Sequence, residues 1–421
     1  MNDIFEYYTL KLTTKSPVHI GSGQTIGKKE FCLIPKKDKI RIMDMEKLID
    51  YFVKEDPENL EWFEKFMIED PSLRAKTRRA KDGTLYTGAE CLDKKWLHTF
   101  LNLIAMPVPA RKDCAMYKDI SNAGIFQENM TGCDINAFMR NSDKEPYIPG
   151  SSVKGMLRTA LMQQLIRKNR NKLTHESTIG YEEKDITEKL VNTLRLKYKF
   201  NEPDTQDAVN SIMRGIIISD SKPVSNDNII VCKKIDRPPL KSQRKEKDFI
   251  EEKELKVVAR ECLKPDTEVY FRVKIDKRYF RPEGINMSFE NLFHEMIKAF
   301  DEDYRKFYLS KFLSKFSEVE GNAADFKKEF LVLGGGSGYF GKNIIYTRYG
   351  FEKGLKKVSQ YMREKDLDRN GKPKDKNGKM KNPDDYHLHG ISPHMLKLTM
   401  YQGKIYHMGI CDVTLERDNI E

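Results

Sequence analysis

Between residues 7 and 14 the chain reads Tyr7-Tyr8-Thr9-Leu10-Lys11-Leu12-Thr13-Thr14, an alternation of apolar and polar positions with the period of a half-buried strand, closed by Ser16-Pro17. A glycine loop at His19-Ile20-Gly21-Ser22-Gly23 leads to a second predicted strand near residues 30–35. The period then changes. Leu48, Ile49, Phe52, Trp62, Phe63 and Phe66 recur at helical spacing over 45–67, interrupted at Asp56-Pro57, and a further helix is predicted over 91–103, ending before Pro107 and Pro109. Short alternations between 111 and 149, with turn chemistry at Asn122-Ala123-Gly124 and Asn141-Ser142-Asp143, predict one or two protruding hairpins. From Gly150 to about Lys172 a helix is expected to bury Val153, Met156, Leu157, Ala160, Leu161 and Leu165.

Beyond residue 205 the pattern predicts strands at 215–219, 229–233, 255–262 and 268–275, the last two joined by the turn Lys264-Pro265-Asp266. A long helix over 289–316, a short apolar run at 330–333, a glycine loop and a last strand at 404–413 complete the order. Strands and helices mixed in short alternation predict an α+β fold of two units, 1–204 and 205–421, each a split βαβ sheet, with inserted hairpins and loops.

Composition refines this picture. At 421 residues the chain is too long for one core, which stops growing near about 250–300 residues, and its 22 Phe and 19 Tyr argue against disorder throughout. The stretch 366–385 is almost all Lys, Asp, Asn, Gly and Pro, so a mobile basic insertion is expected over about 353–385. No run approaches the roughly 18–20 apolar residues that cross a bilayer, and the start Met1-Asn2-Asp3-Ile4-Phe5-Glu6 lacks signal-peptide character, so a cytoplasmic location is expected, with no membrane partner. Cys32, Cys91, Cys114, Cys133, Cys232, Cys262 and Cys411 are odd in number and form no CxxC pair, which argues against a disulfide framework or a thiolate zinc site. The net charge of +11 favours a polyanionic partner without separating an RNA binder from a merely basic protein.

The most informative segment is Tyr147-Ile148-Pro149-Gly150-Ser151-Ser152-Val153-Lys154-Gly155-Met156-Leu157-Arg158. A tight turn, a serine cap and the free amides of a first helical turn would suit a phosphate, and Lys154 and Arg158 stand four apart on one face. An ordinary capped helix with a solvated basic face fits the same residues. The run Gly334-Gly335-Gly336-Ser337-Gly338-Tyr339-Phe340-Gly341-Lys342-Asn343 nearly fits the P-loop GxxxxGK[ST] and the dinucleotide pattern GxGxxG. Asn343 replaces the hydroxyl that would bind Mg²⁺, and no acidic residue follows at ribose spacing, so neither nucleotide site is expected. What remains is exposed backbone beside Lys342 and Arg348, suited to an RNA backbone, or a structural turn.

His19 is either a packed residue or a proton shuttle for metal-independent RNA cleavage. His387, His389, His394 and His407 do not establish a metal site by their spacing, and the calcium-loop-like start at Asp366 is broken by Pro373. No cofactor is called for. The basic runs 74–81 and 353–381 are candidates for long-range attraction of RNA or for plain solvation.

Taken together, the segments from Ser16 to Gly23, from Ile148 to Arg158 and from Gly334 to Gly338 resemble the RAMP superfamily of CRISPR effector proteins. With the strand Ile216-Ile217-Ile218-Ser219-Asp220-Ser221-Lys222-Pro223, the resemblance narrows to the fifth subunit of type III-A Csm complexes. It implies two ferredoxin-like (RRM-like) domains and a non-catalytic subunit that caps the 3′ end of the crRNA filament and supports crRNA maturation. The partners implied are crRNA and the guide–target RNA duplex, the neighbouring RAMP backbone subunit, other Csm subunits and host ribonucleases in maturation. By the same resemblance, the 111–149 segment corresponds to a thumb-like hairpin wedged against the duplex. The RNA-binding candidates are His19, Gly21, Ser22, Gly23, Gly150, Ser151, Ser152, Lys154, Arg158, Gly334, Gly335, Gly336, Ser337, Gly338 and Lys342. The family's backbone subunit cleaves target RNA with a loop aspartate, but none of Asp113, Asp119, Asp134 and Asp143 aligns with it, so no catalytic residue is carried over. The alternatives are a crRNA-processing endoribonuclease using His19 and a structural adaptor that touches RNA little.

Overall fold

The computed structural model describes residues 4–34, 39–121, 134–196, 198–199, 202–203, 208–237, 259–280, 288–312, 326–365, 390–393 and 396–418. A five-stranded antiparallel sheet forms the first layer, in the order Ile216–Ile218, Glu268–Asp276, Phe5–Thr14, Ile410–Arg417, Leu331–Val332. The Phe5–Thr14 strand is its centre, and its strict alternation is realised: Tyr8, Leu10 and Leu12 are fully buried while their neighbours in sequence are half-exposed. Helices Gly150–Lys168 and Phe289–Tyr304 pack together over that buried face, with Tyr8 against Phe289 at a ring separation of 5.7 Å.

A larger sheet runs Gly21–Ile26, Ile135–Phe138, Ala259–Leu263, Ile229–Arg237, Ile120–Ser121, Lys39–Ile42, Phe31–Ile34, and the hairpin Leu396–Tyr401/Lys404–His407 joins the far end of Ile229–Arg237. Strands from both sides of residue 204 share each sheet, so most of the apolar core is one continuous cluster. A second, smaller core lies in the helices between Lys39–Ile42 and Ile120–Ser121, where Phe52 stacks on Phe63 and Phe66 on Phe100, each at 4.8 Å.

Several local expectations change in the structure. The helix predicted over 91–103 is two helices, Gly88–Lys94 and Leu97–Leu103, because Lys95 adopts a left-handed φ of 56°. Residues 108–113 form a helix, not part of a hairpin, while 122–133 lie outside the described residues. The strand expected over 404–413 is broken by the turn at Met408-Gly409 and continues to Arg417. Residues 353–365 of the expected mobile insertion belong to the helix Ile345–Lys365, anchored by Lys353 on Glu176 and Lys357 on Glu182, and 366–389 lie outside the described residues. The Gly150–Lys168 helix buries the expected stripe and also Met162, Gln163, Gln164 and Ile166, since helices Ile179–Leu190 and Ile345–Lys365 press on it from other sides. Among the described residues no helix is long and apolar enough to cross a membrane.

Candidate nucleic-acid interface

The start of the Gly150–Lys168 helix differs from expectation in one decisive respect. Its N-cap is Pro149, which offers no side-chain acceptor, and neither Ser151 nor Ser152 caps it. Instead the Gly150 N–H donates to Asp220 Oδ1 at 2.8 Å, and the Ser152 N–H turns back to the Pro149 carbonyl at 2.9 Å. A carboxylate thus already faces the positive end of the helix dipole, so this first turn is not the open phosphate cradle the motif predicts. Gly150 serves packing: a Cβ there would sit 2.4 Å from the Ile218 carbonyl oxygen and 2.5 Å from that of Ser219.

The cations further along the helix remain available. Lys154 is half-buried and has no ion-pair partner among the described residues, and desolvation alone holds its pKa below the ordinary lysine value. Arg158, one turn on, donates Nη2 to Thr187 Oγ1 at 3.1 Å. Together with Lys342 it lines a cleft of about 490 Å³ that also carries Lys184, Glu183 and Asn192. Two motifs far apart in sequence therefore supply cations to one cleft. Arg348 does not join them: its side chain is 3% exposed and paired with Glu182, which is 1% exposed. That pairing corrects the reading of Arg348 as a residue facing RNA.

His19 and the glycine run, separate in sequence, are packed on one another. The Gly335 N–H donates to the His19 carbonyl at 2.8 Å. Gly334 has φ +91°, and a Cβ on it would lie 2.3 Å from the same carbonyl oxygen, so only glycine fits. Ser337 is buried, and its hydroxyl donates to the Gly334 carbonyl at 2.9 Å, closing the loop rather than facing outward. Gly338 lies against the Lys397 side chain. Gly21 and Ser22 stand in a strand, Gly21–Ile26, rather than a loop; Gly21 covers the His19 ring and Ser22 Oγ donates to the Ala137 carbonyl at 3.3 Å. Gly23 faces open space.

His19 is 5% exposed. Its Nδ1–H donates to the Glu261 carbonyl at 2.7 Å, and burial, aided by the nearby Arg260 charge, holds its pKa below the usual histidine value, so the ring is neutral near pH 7. Glu261 is fully buried, its carboxylate held by Tyr117, Arg140 and the Phe138 N–H.

Arg260 is the residue that reading the sequence missed. Its Nη1 is buried with no hydrogen-bond partner among the described residues, and it would lie 3.2 Å from a Cβ placed on Gly336. Its signal was a charged pair, Arg260-Glu261, inside a short strand whose other residues, Ala259, Cys262 and Leu263, are apolar. Its place under the glycine loop needed the fold.

Other candidates serve the scaffold. Asn343 Oδ1 accepts from the N–H groups of Ile345 and Tyr346, a helix cap where a P-loop would carry its Mg²⁺ hydroxyl. Asp119 is gripped by Arg41 through two bonds of 2.7 Å. In the 74–81 run, Arg74 pairs with Asp93, Arg78 donates to the carbonyls of Asn102 and Leu103, and Lys76 lies over Trp62. Among the described residues no three His, Cys, Asp or Glu side chains could hold a metal. His407 is buried, which pushes its pKa down to about 4, and His387, His389 and His394 lie outside the described residues.

Comparison with known proteins covers nearly the whole chain. It is 24% identical over 99% of its length, and 100% of the relative's, to the protein named CRISPR system Cms protein Csm5 from Mycobacterium tuberculosis. With the protein of that name from Streptococcus thermophilus it shares 25% identity over 82% of each chain. Its fold matches a chain in the cryo-EM structure of a Csm–crRNA–target RNA ternary complex of a type III-A CRISPR–Cas system, with a TM-score of 0.58, 19% identity and coverage of 98% of this chain and 100% of that one. The crystal structure of T. onnurineus Csm5 matches at a TM-score of 0.53 and 16% identity, over 95% of this chain and 99% of that one. The family model described as the RAMP superfamily matches residues 11–341, and it is to this superfamily, with its α+β fold, that the chain belongs.

Proposed function

We propose that the chain is a non-catalytic, RNA-binding subunit of a type III-A Csm complex, capping the 3′ end of the crRNA filament and supporting crRNA maturation. The observation that carries this reading is an imbalance in how cations are used. Buried arginines that hold the fold are paired: Arg41 with Asp119, Arg140 with Glu261, Arg348 with Glu182. Lys154, half-buried on the helix face, and the Arg260 Nη1, buried under the glycine loop, have no such partner among the described residues, and the exposed Lys342 lines the cleft beside Arg158. A half-buried ammonium and a buried guanidinium nitrogen without carboxylates are stabilised by an anionic ligand, which RNA phosphates supply. Full-length similarity to proteins named Csm5 supports placing that ligand in a Csm complex, with neighbouring Csm subunits as partners.

The test is salt-dependent RNA binding by the purified chain. Replacing Lys154, Arg158 and Lys342 by Ala together lowers affinity uniformly across sequences, and the slope of log K against log salt falls by about 2, since each phosphate contact contributes roughly 0.7 on a single strand. In assembled complexes the same variant leaves the crRNA 3′ end open to exonuclease. Unchanged affinity and unchanged 3′ protection exclude the reading. Discrete cleavage of precursor RNA in EDTA, lost in His19→Ala, replaces it with a nuclease.

A further inference from the structure

We infer that the open face of the five-stranded sheet is a stacking platform for single-stranded RNA, distinct from the glycine-loop site. The sheet register defines the face. Across four strands the outward residues run in three rows: Ile217, Lys274, Tyr7; then Arg272, Thr9, Glu416; then Tyr270, Lys11, Thr414. Directly opposed residues point to the same side, so these nine share one surface while Tyr8, Leu10, Phe271 and Val273 face the core.

That surface interleaves rings and cations. Tyr270 is 45% exposed, and Tyr7 and Phe5 are half-exposed, with the Lys274 ammonium 3.8 Å from the Phe5 ring centre and 5.7 Å from that of Tyr7. Tyr7 and Tyr270 lie four residues along the strand and one strand across from each other, about 14 Å, with Arg272 between them. Lys11 is neutralised by Glu268 at 2.6 Å, whereas Arg272 and Lys274 have no carboxylate partner among the described residues. Glu416, two strands from Arg272, leaves the Ile217 side as the positive half.

Two tyrosine rings with Arg272 between them suit unstacked bases and their phosphates. A duplex offers no free base face to such a sheet. A protein interface would centre on contiguous apolar residues and exclude lysine, yet Ile217, 51% exposed, is the exposed aliphatic residue among these nine.

The experiment uses the full chain and three labelled ligands at one salt concentration: a U-rich 20-mer, an abasic 20-mer and an RNA duplex. Tyr270→Ala weakens the U-rich strand by about fivefold or more, the lower end of what loss of a stacking ring costs, while leaving the abasic strand unchanged. Tyr270→Phe binds as the parent does. Arg272→Ala weakens both single strands and spares the duplex. The triple variant at Lys154, Arg158 and Lys342 weakens every ligand, so failure of one site is distinguishable from failure of the other. Parent-like binding of the U-rich strand by both Tyr270→Ala and Arg272→Ala overturns the inference, and if those variants also drop out of the assembled complex the face is a protein contact.

Discussion

Gly150 and Gly155 sit five residues apart in one motif and have opposite roles. Gly150 is pressed against two strand carbonyls, whereas a Cβ at Gly155 meets nothing within 4 Å. Gly150→Ala forces the helix off the strand and costs about 1–3 kcal/mol, as overpacking does. Gly155→Ala stabilises by up to about 1 kcal/mol through helix propensity. Paired urea unfolding curves of the two variants test this, and equal shifts of the same sign would remove the packing role given to Gly150. The sequence signalled that the motif mattered but not which glycine was structural, because the carbonyls that crowd Gly150 belong to residues 218 and 219. Likewise Ser337, read as a surface contact, turns its hydroxyl inward to its own loop.

At the scale of elements, buried ion pairing decides which basic residues remain open to a ligand. Glu182 on the Ile179–Leu190 helix receives Arg348, Lys357, the Tyr349 hydroxyl and the Ser177 N–H, and so ties the Ile345–Lys365 helix to it. Glu182→Gln leaves the buried Arg348 guanidinium with the longer Asp185 contact at 3.8 Å in place of its close pair and costs up to about 3–5 kcal/mol. Arg348→Met costs less, because Lys357 still faces Glu182, and the double variant recovers part of the loss. Denaturation midpoints of the three proteins check the order; additive losses would break the coupling. The sequence marked a basic run from residue 353 but read it as part of a mobile insertion, not as a helix. It was silent on Glu182 as their partner, since the two helices are separated by more than 150 residues and no local pattern records their contact.

For the whole molecule, the central position of the Phe5–Thr14 strand makes the chain ends interdependent. Its two neighbours are Glu268–Asp276 and Ile410–Arg417, and the latter buries Ile410, Cys411 and Val413. Truncation before Ile410 exposes both that strand and Leu331–Val332, so the protein is expected to lose its cooperative thermal transition rather than shift it slightly. A truncated chain that melts sharply near the parent temperature would show the N-terminal strand to be held otherwise.

What the sequence determined by itself were the local quantities: the alternation that makes Phe5–Thr14 a strand, the helical stripe after Gly150, the three motifs that carry the RAMP resemblance, and an α+β fold. These depend on nearest neighbours and on side-chain periodicity, which the order of residues carries directly. The tertiary structure alone decided that His19 lies under the glycine loop, that Arg158 and Lys342 share a cleft, that Arg348 pairs with Glu182 while the Arg260 Nη1 meets no hydrogen-bond partner among the described residues, and that Asp220 takes the place of a serine cap. Each of these joins residues far apart along the chain, and burial and charge compensation exist only once both sheets have closed around them.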